Sequence, residues 1–385
     1  MSTMAGSTVL RSWLLAARRR WALLRTGDFN PYPPAPADAR LSPSERHFAD
    51  YDRAPLALSW RRAGIGDPCA WQEAARNKLA ELTGYERAGD LPRPHSVSEW
   101  RLDGGLRRRS LYLRVNPAQD MPVHIIWNPA IATGQKLAPM ICLQGTNSGA
   151  HLSWGETRFP ADPPKVSEGY DFGRQAAQRG YLAVCIEQSC FGERRERRLQ
   201  PRSTAPCVDA ANHALLLGRC LLGERAADVS TVIDWLFADD QEWTIDRDRL
   251  CVMGHSAGGS VALFAAALDR RVAAVLASGC IGYIRETIAR RRDDQGQNVI
   301  PGILRWFELD DIVALCAPRP FLTVSGRDDH IWPFAGAVKV IDSARAAYAA
   351  FGAPQRVVAR PAEGDHRFYP DIAWPAFDEL LAADH

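Results

Sequence analysis

No run of 18 or more apolar residues occurs in the 385-residue sequence, so no bilayer-crossing helix is expected. Net charge is only +2, too little to draw nucleic acid or a membrane surface by bulk electrostatics. The nine cysteines include no CxxC pair and no Cys/His spacing of the zinc kind, so no metal site and no disulfide framework is expected. Internal repeats, a phosphate-cradling glycine loop and long low-complexity tracts are also missing. What is present is 46% hydrophobic and 24% charged residues, enough for a large buried core. Cys142, Cys185, Cys251 and Cys280 lie in apolar runs and read as reduced core thiols, which points to the cytoplasm.

Residues 1–25 carry Arg11, Arg18, Arg19, Arg20 and Arg25, no acid, and apolar residues between them. This reads as a basic amphipathic helix, packed on the body or on a second subunit, with membrane-surface contact as the other possibility. The short "WLLAA" run, cut by "RRR", is not expected to act as a signal peptide. A proline-rich stretch, 30–43, leads to a helical patch at 68–84, so residues 1–97 are expected to form a helical extension and a possible homodimer contact. A catalytic domain is expected over 98–385.

From residue 98, strand-like runs follow one another: 107–115, 121–127, 138–145, 181–188, 250–256, 272–279, 321–326 and 356–361. The first two alternate apolar and polar residues across a short turn, as an antiparallel edge hairpin does. The others are nearly continuous apolar runs, as in strands buried on both faces. Helical stretches at 170–180, 227–240, 257–269 and 336–352 lie between them. The expected fold class is α/β, a mostly parallel eight-stranded sheet flanked by helices, with ligands at the carboxyl ends of the strands.

"CVMGHSAGGS" (251–260) sets Ser256 between a strand and a helix, with Gly254 and Gly258 two residues away on either side. A serine on a strained strand-to-helix turn needs small residues there and has its hydroxyl lifted clear of the sheet. A plain helix N-cap is the alternative. A hydroxyl nucleophile needs a base, and the base an orienting carboxylate. Asp329, after the seventh run, and His366, after the eighth, supply both in the right chain order. Asp328 competes with Asp329; His330 and His255 compete with His366. Two N–H groups are expected to stabilise the oxyanion, those of Ala257 and of Thr146 in "LQGTNSGAH", where Gly145 permits close approach.

With these residues assembled, the sequence resembles the alpha/beta-hydrolase superfamily over residues 100–383. More narrowly it is similar to the bacterial branch near dienelactone hydrolases and acetyl xylan or cephalosporin esterases. The carriers are "GERAADVSTVIDWL", "DRLCVMGHSAGGSVALFAAALDRRVAAVLASG", "LCAPRPFLTVSGRDDHIWP" and "GDHRF". The resemblance implies an eight-stranded sheet, a Ser–Asp–His triad on Ser256, Asp329 and His366, and ester hydrolysis without a cofactor. Where the family shows histidine–glycine at the oxyanion loop, this chain has Gln144–Gly145, so substrate preference is expected to differ.

Gln144, Trp154 and Trp332 are the candidate substrate-binding residues; the tryptophans could equally be ordinary packing, as could Trp306. The basic loop 191–202 could grip an anionic group or be a solvated surface. Segments 189–226 and 280–307 are expected at the pocket rim. The partner is a small-molecule ester, split through an acyl-enzyme. The same triad also serves amides, lactones and C–C bonds, and a non-catalytic hydrolase-fold receptor would carry the same pattern.

Overall fold

The computed structural model describes residues 14, 17, 21 and 35–383, except 63–65, 88, 90, 91, 133, 197–204, 239–241 and 291–293. The basic segment 1–25 and half of the loop 191–202 therefore lie almost wholly outside the described residues. Two compact units are present, residues 1–50 and 51–385. The first contributes most of a helix, Pro43–Asp52, which is polar and has no buried residue. No described helix is long and apolar enough to cross a membrane.

The larger unit is built on a nine-stranded sheet: β1 (Pro94–Arg101), β2 (Arg107–Asn116), β3 (Gln119–Trp127), β4 (Pro139–Leu143), β5 (Leu182–Ile186), β6 (Cys251–His255), β7 (Ala274–Ser278), β8 (Phe321–Gly326) and β9 (Val357–Ala362). The spatial order is β1-β2-β3-β5-β4-β6-β7-β8-β9. The β1–β2, β2–β3 and β3–β5 pairs are antiparallel. The remaining pairs, from β5 to β9, are parallel. The expected α/β class and the antiparallel β2–β3 hairpin are found, but the hairpin is not at the edge, because one strand more than expected lies outside it. That strand, β1, is an edge strand whose Val97 and Trp100 are exposed. A strand that buries neither face shows no apolar period to read.

Strands β4 to β8 are buried throughout, and alternation divides them between two cores. Ile141 and Leu143 of β4 and Val252 of β6 join a core under helices Leu221–Leu236, Ala257–Leu268 and Phe334–Ala350. Met140, Cys142 and Met253 face the other core, with Phe172, Ala176, Trp374 and Phe377. Both faces covered is what continuous apolar runs require. All nine cysteines are free, and all but Cys69 are buried.

The boundary expected at 97/98 falls inside β1, and the compact body begins at Tyr51. Within that body, residues 57, 58 and 68–83 are tied to distant segments. Ala57 and Leu58 donate backbone N–H groups to the Arg305 and Trp306 carbonyls at 2.9 and 3.0 Å. Helix Pro68–Thr83 starts with an Asp67 N-cap and Pro68, buries Trp71, Ala75 and Leu79, and ends at a left-handed Gly84. Gln72 Nε2 donates to the carbonyls of Ala314 and Ala317. Short-range pattern shows the helix but not the distant surface that receives it.

The chain leaves β4 toward β5 on one side and reaches β6 on the other. The connections leaving the carboxyl ends of neighbouring strands β4 and β6 therefore run to opposite sides, to β5 and to β7, and at such a point an open parallel sheet binds ligands.

Candidate active site

Ser256 follows β6 directly and precedes the helix Ala257–Leu268, all of whose residues are buried. Its backbone has φ 55° and ψ −122°, outside the usual regions for a residue with a Cβ. The turn closes only because its neighbours lack side chains. A Cβ on Gly254 would lie 2.3 Å from the Gly258 carbonyl oxygen, and one on Gly258 would lie 2.1 Å from that of Leu143. One on Gly145 would meet the His255 oxygen at 3.0 Å and Ser256 Cβ at 3.2 Å, so the β4 loop is pressed against the turn. No side-chain capping bond forms from Ser256, which removes the plain N-cap alternative.

His366 stands over this serine, its Nε2 2.9 Å from Ser256 Oγ. Its Nδ1 is 2.8 Å from Asp329 Oδ2. A carboxylate only accepts, so Nδ1 carries the proton, Nε2 is the acceptor and the Ser256 hydroxyl donates. Asp329 is 2% exposed, and its Oδ1 accepts the N–H groups of Ile331 and Trp332, each at 2.8 Å. Burial alone would raise its pKa, but the His366 hydrogen bond and charge, with the two amides, hold the carboxyl below its ordinary range.

The competing residues stand elsewhere. Asp328 is exposed, while Asp329 is buried. His255 is buried, with Nδ1 3.3 Å from Ser278 Oγ and its ring centroid 4.8 Å from that of His366. Burial, then the neighbouring His366, push its pKa well down, and its ring is tilted 38° to that of His366. His330 lines the cavity and is exposed.

Thr146, Ser256, Ala257, Gln295, Gln297, Asn298, His330, Ile331, Trp332 and His366 line one cavity of about 380 Å³. Both expected oxyanion residues are therefore beside Ser256, as is Trp332. The other two substrate-binding expectations are corrected. Gln144 is buried, and its amide is spent inside the fold: Nε2 donates to Ser153 Oγ at 2.7 Å and to the Tyr170 carbonyl at 3.0 Å, while Oε1 accepts from Asn147. Trp154 is also buried away from the cavity, under the Arg108 guanidinium at 4.3 Å and beside His124. Trp306 packs under Lys78. Of the basic loop, Arg194 is committed to Asp228 at 2.5 Å, a structural pair rather than a free anion grip.

The expected rim segment 280–307 does contribute, through Gln295, Gln297 and Asn298, with Asn298 held by Asp294 at 2.8 Å. These amides were not singled out in the sequence, because nothing local distinguishes them from loop polarity.

The BD-FAE family matches residues 219–331, which include Ser256 and Asp329. The Bacillus subtilis protein named "Putative hydrolase YtaP" is 26% identical over 282 residues, 70% of this chain and 87% of that protein. Two solved structures are similar in shape. One, described as a putative acetyl xylan esterase from Bacteroides fragilis, has a TM-score of 0.67 at 20% identity, covering 89% of this chain and 86% of that one. The other, a glucuronoyl esterase from Solibacter usitatus, has a TM-score of 0.61 at 17% identity, covering 86% and 97%. With its nine-stranded, mostly parallel sheet and covered faces, the chain has the alpha/beta-hydrolase fold.

Proposed function

We propose that this chain is a serine carboxylesterase working through an acyl-enzyme. The observation that carries the reading is the continuous line Ser256 Oγ–His366 Nε2 and His366 Nδ1–Asp329 Oδ2, at 2.9 and 2.8 Å, opening on the cavity. Ser256 Oγ attacks the ester carbonyl as His366 Nε2 takes its proton. Asp329 keeps the ring in the correct tautomer and stabilises the imidazolium. The N–H groups of Ala257 and Thr146 receive the oxyanion, each a contribution on the order of 3 kcal/mol once bound substrate excludes water. The imidazolium then protonates the leaving alcohol, and water repeats the sequence on the acyl-enzyme.

The amides of Gln295, Gln297 and Asn298, with His330 and the Trp332 ring, suit a small or medium acyl ester of a hydroxyl-rich metabolite or sugar. The esterase names of the similar solved structures support an ester over an amide or C–C bond. The unpaired cysteines fit a reducing, cytoplasmic setting.

A fluorophosphonate probe should label the wild-type protein and not Ser256→Ala. The wild type should also hydrolyse p-nitrophenyl acetate and acetylated sugars, and leave peptides intact. A well-folded wild type that takes no label, or that cleaves only peptides, sinks this reading.

A further inference from the structure

Arg225, on the helix Leu221–Leu236, is 1% exposed. Among the described residues its guanidinium meets no carboxylate. Nε and Nη2 donate to the Ser189 carbonyl at 3.2 and 2.7 Å, Nη1 to Gln297 Oε1 at 3.1 Å, and Nη2 to Cys207 Sγ at 3.4 Å. The Phe191 ring lies 4.5 Å from its Cζ. The Cys207 thiol also points at Gln297 Oε1, 3.8 Å away.

A guanidinium can only donate, so the amide atom facing it must be the carbonyl oxygen of Gln297. That fixes the amide's orientation and turns Nε2 the other way, where it lies 3.0 Å from Thr146 Oγ1. Nε2 is itself only a donor, so the Thr146 oxygen accepts. Thr146 is exposed, and among the described residues no protein group takes its hydroxyl proton, which is left free to turn into the cavity. Thr146, Gln297, Ser256 and Ala257 line the same cavity.

We infer that the Thr146 hydroxyl proton is aimed into the cavity as a side-chain donor to the oxyanion, added to the two backbone N–H groups, with Gln297 and Arg225 as the residues that position it. The inference rests on the esterase reading of this cavity. Its physical content is the commitment of one lone pair: a buried cation three links away makes Gln297 donate to the Thr146 oxygen, which leaves the hydroxyl hydrogen free for an oxyanion in the cavity. A donor whose oxygen is already held in place before the substrate arrives needs only a hydroxyl rotation when charge develops on the carbonyl oxygen.

Thr146→Val keeps the shape and backbone N–H and removes the hydroxyl. It should lower kcat roughly 10–100-fold with KM within about threefold, the split expected of a group that acts on the transition state. Thr146→Ser should restore kcat to within about threefold of wild type. In Gln297→Glu the new carboxylate has no N–H and accepts the Thr146 proton, turning it away from the cavity, so the loss should match that of Thr146→Val. The double variant should be no worse than the worse single, because both remove one interaction. A Thr146→Val kcat within twofold of wild type, a Thr146→Ser variant as slow as Thr146→Val, or losses that multiply in the double variant would each overturn the inference. Fluorophosphonate labelling separates the two failures. An unlabelled wild type overturns the esterase reading with it, whereas a labelled wild type beside an unaffected Thr146→Val overturns only the third donor.

Discussion

Asp329 and Asp311 are both buried, at 2% and 1% exposure, and each takes two backbone N–H groups and one side-chain hydrogen bond. Asp329 accepts from Ile331, Trp332 and His366. Asp311 accepts from Trp60 at 2.8 Å, Glu308 at 2.9 Å and the Ser59 hydroxyl at 3.0 Å. With the same number of donors, the two titrate in opposite directions. Burial drives both up, but Asp329 ends below its ordinary value and Asp311 is pushed up to about 7. Desolvation is the largest influence on both, and the charged neighbours then act in opposite directions. Asp329 faces an imidazole that can become a cation, while Asp311 stands beside Asp310. Hydrogen-bond count alone therefore does not make a carboxylate a catalytic partner. One site is arranged to share a charge; the other ties residues 59 and 60 to the first turn of helix Leu309–Ala314, where Glu308 and Asp311 form a capping box.

If the first site is for chemistry and the second for fastening, their variants should separate cleanly. The largest effect belongs to the groups Asp329 serves: Ser256→Ala or His366→Ala should lower kcat by roughly 10⁴–10⁶-fold, with folding intact by circular dichroism. A drop under tenfold removes that residue from the mechanism. Next, Asp329→Asn should cost roughly 10³–10⁴ in kcat, because an amide facing Nδ1 favours the wrong tautomer. Asp311→Asn should leave kcat within about threefold. Equal losses in the two aspartate variants would erase the contrast. Ser59→Ala should reduce unfolding free energy by about 1–2 kcal/mol, read from urea midpoints, with kcat unchanged. A variant as stable as the wild type would mean the Ser59 hydroxyl does nothing for Asp311.

The first site was far easier to read from the sequence than the second. "CVMGHSAGG" ends a buried strand at a turn crowded with glycines, and each close approach found there, such as Gly258 on the Leu143 oxygen, is a demand for glycine that leaves a local trace. The loops bearing Asp329 and His366 follow β8, a buried and plainly apolar run, and β9, whose signal is weaker because Arg360 and Pro361 interrupt it. Asp311 carries no such trace, since its partners at 59 and 60 are about 250 residues away in the chain. Side-chain direction is lost in the same way. Gln144 adjoins Gly145 in sequence, yet its amide turns inward to Ser153 and Tyr170. The Arg225–Gln297–Thr146 chain joins three distant segments and only packing reveals it.

The finest test of the comparison is the pH dependence of stability in Asp311→Asn. An unfolded aspartate titrates near 3.8, and Asp311 in the folded chain near 7. Between these values the native state holds a proton that the unfolded state has released, so this group's contribution to stability falls as pH rises through the window and levels off above it. Asp329, with its depressed pKa, runs the other way: its contribution is present above the unfolded value and is lost as pH falls. Replacing Asp311 by asparagine removes its slope. The new amide nitrogen has nothing to accept the Glu308 N–H with, a penalty that is the same at every pH. Other groups that titrate on the way, such as Glu187 near 7, are shared by both proteins and cancel in the difference. The variant should therefore gain on the wild type, by on the order of 2 kcal/mol between pH 5 and pH 8 in urea unfolding. Stability differences that stay constant across that range would mean Asp311 does not change protonation on folding there, and that it does not titrate in the direction opposite to Asp329.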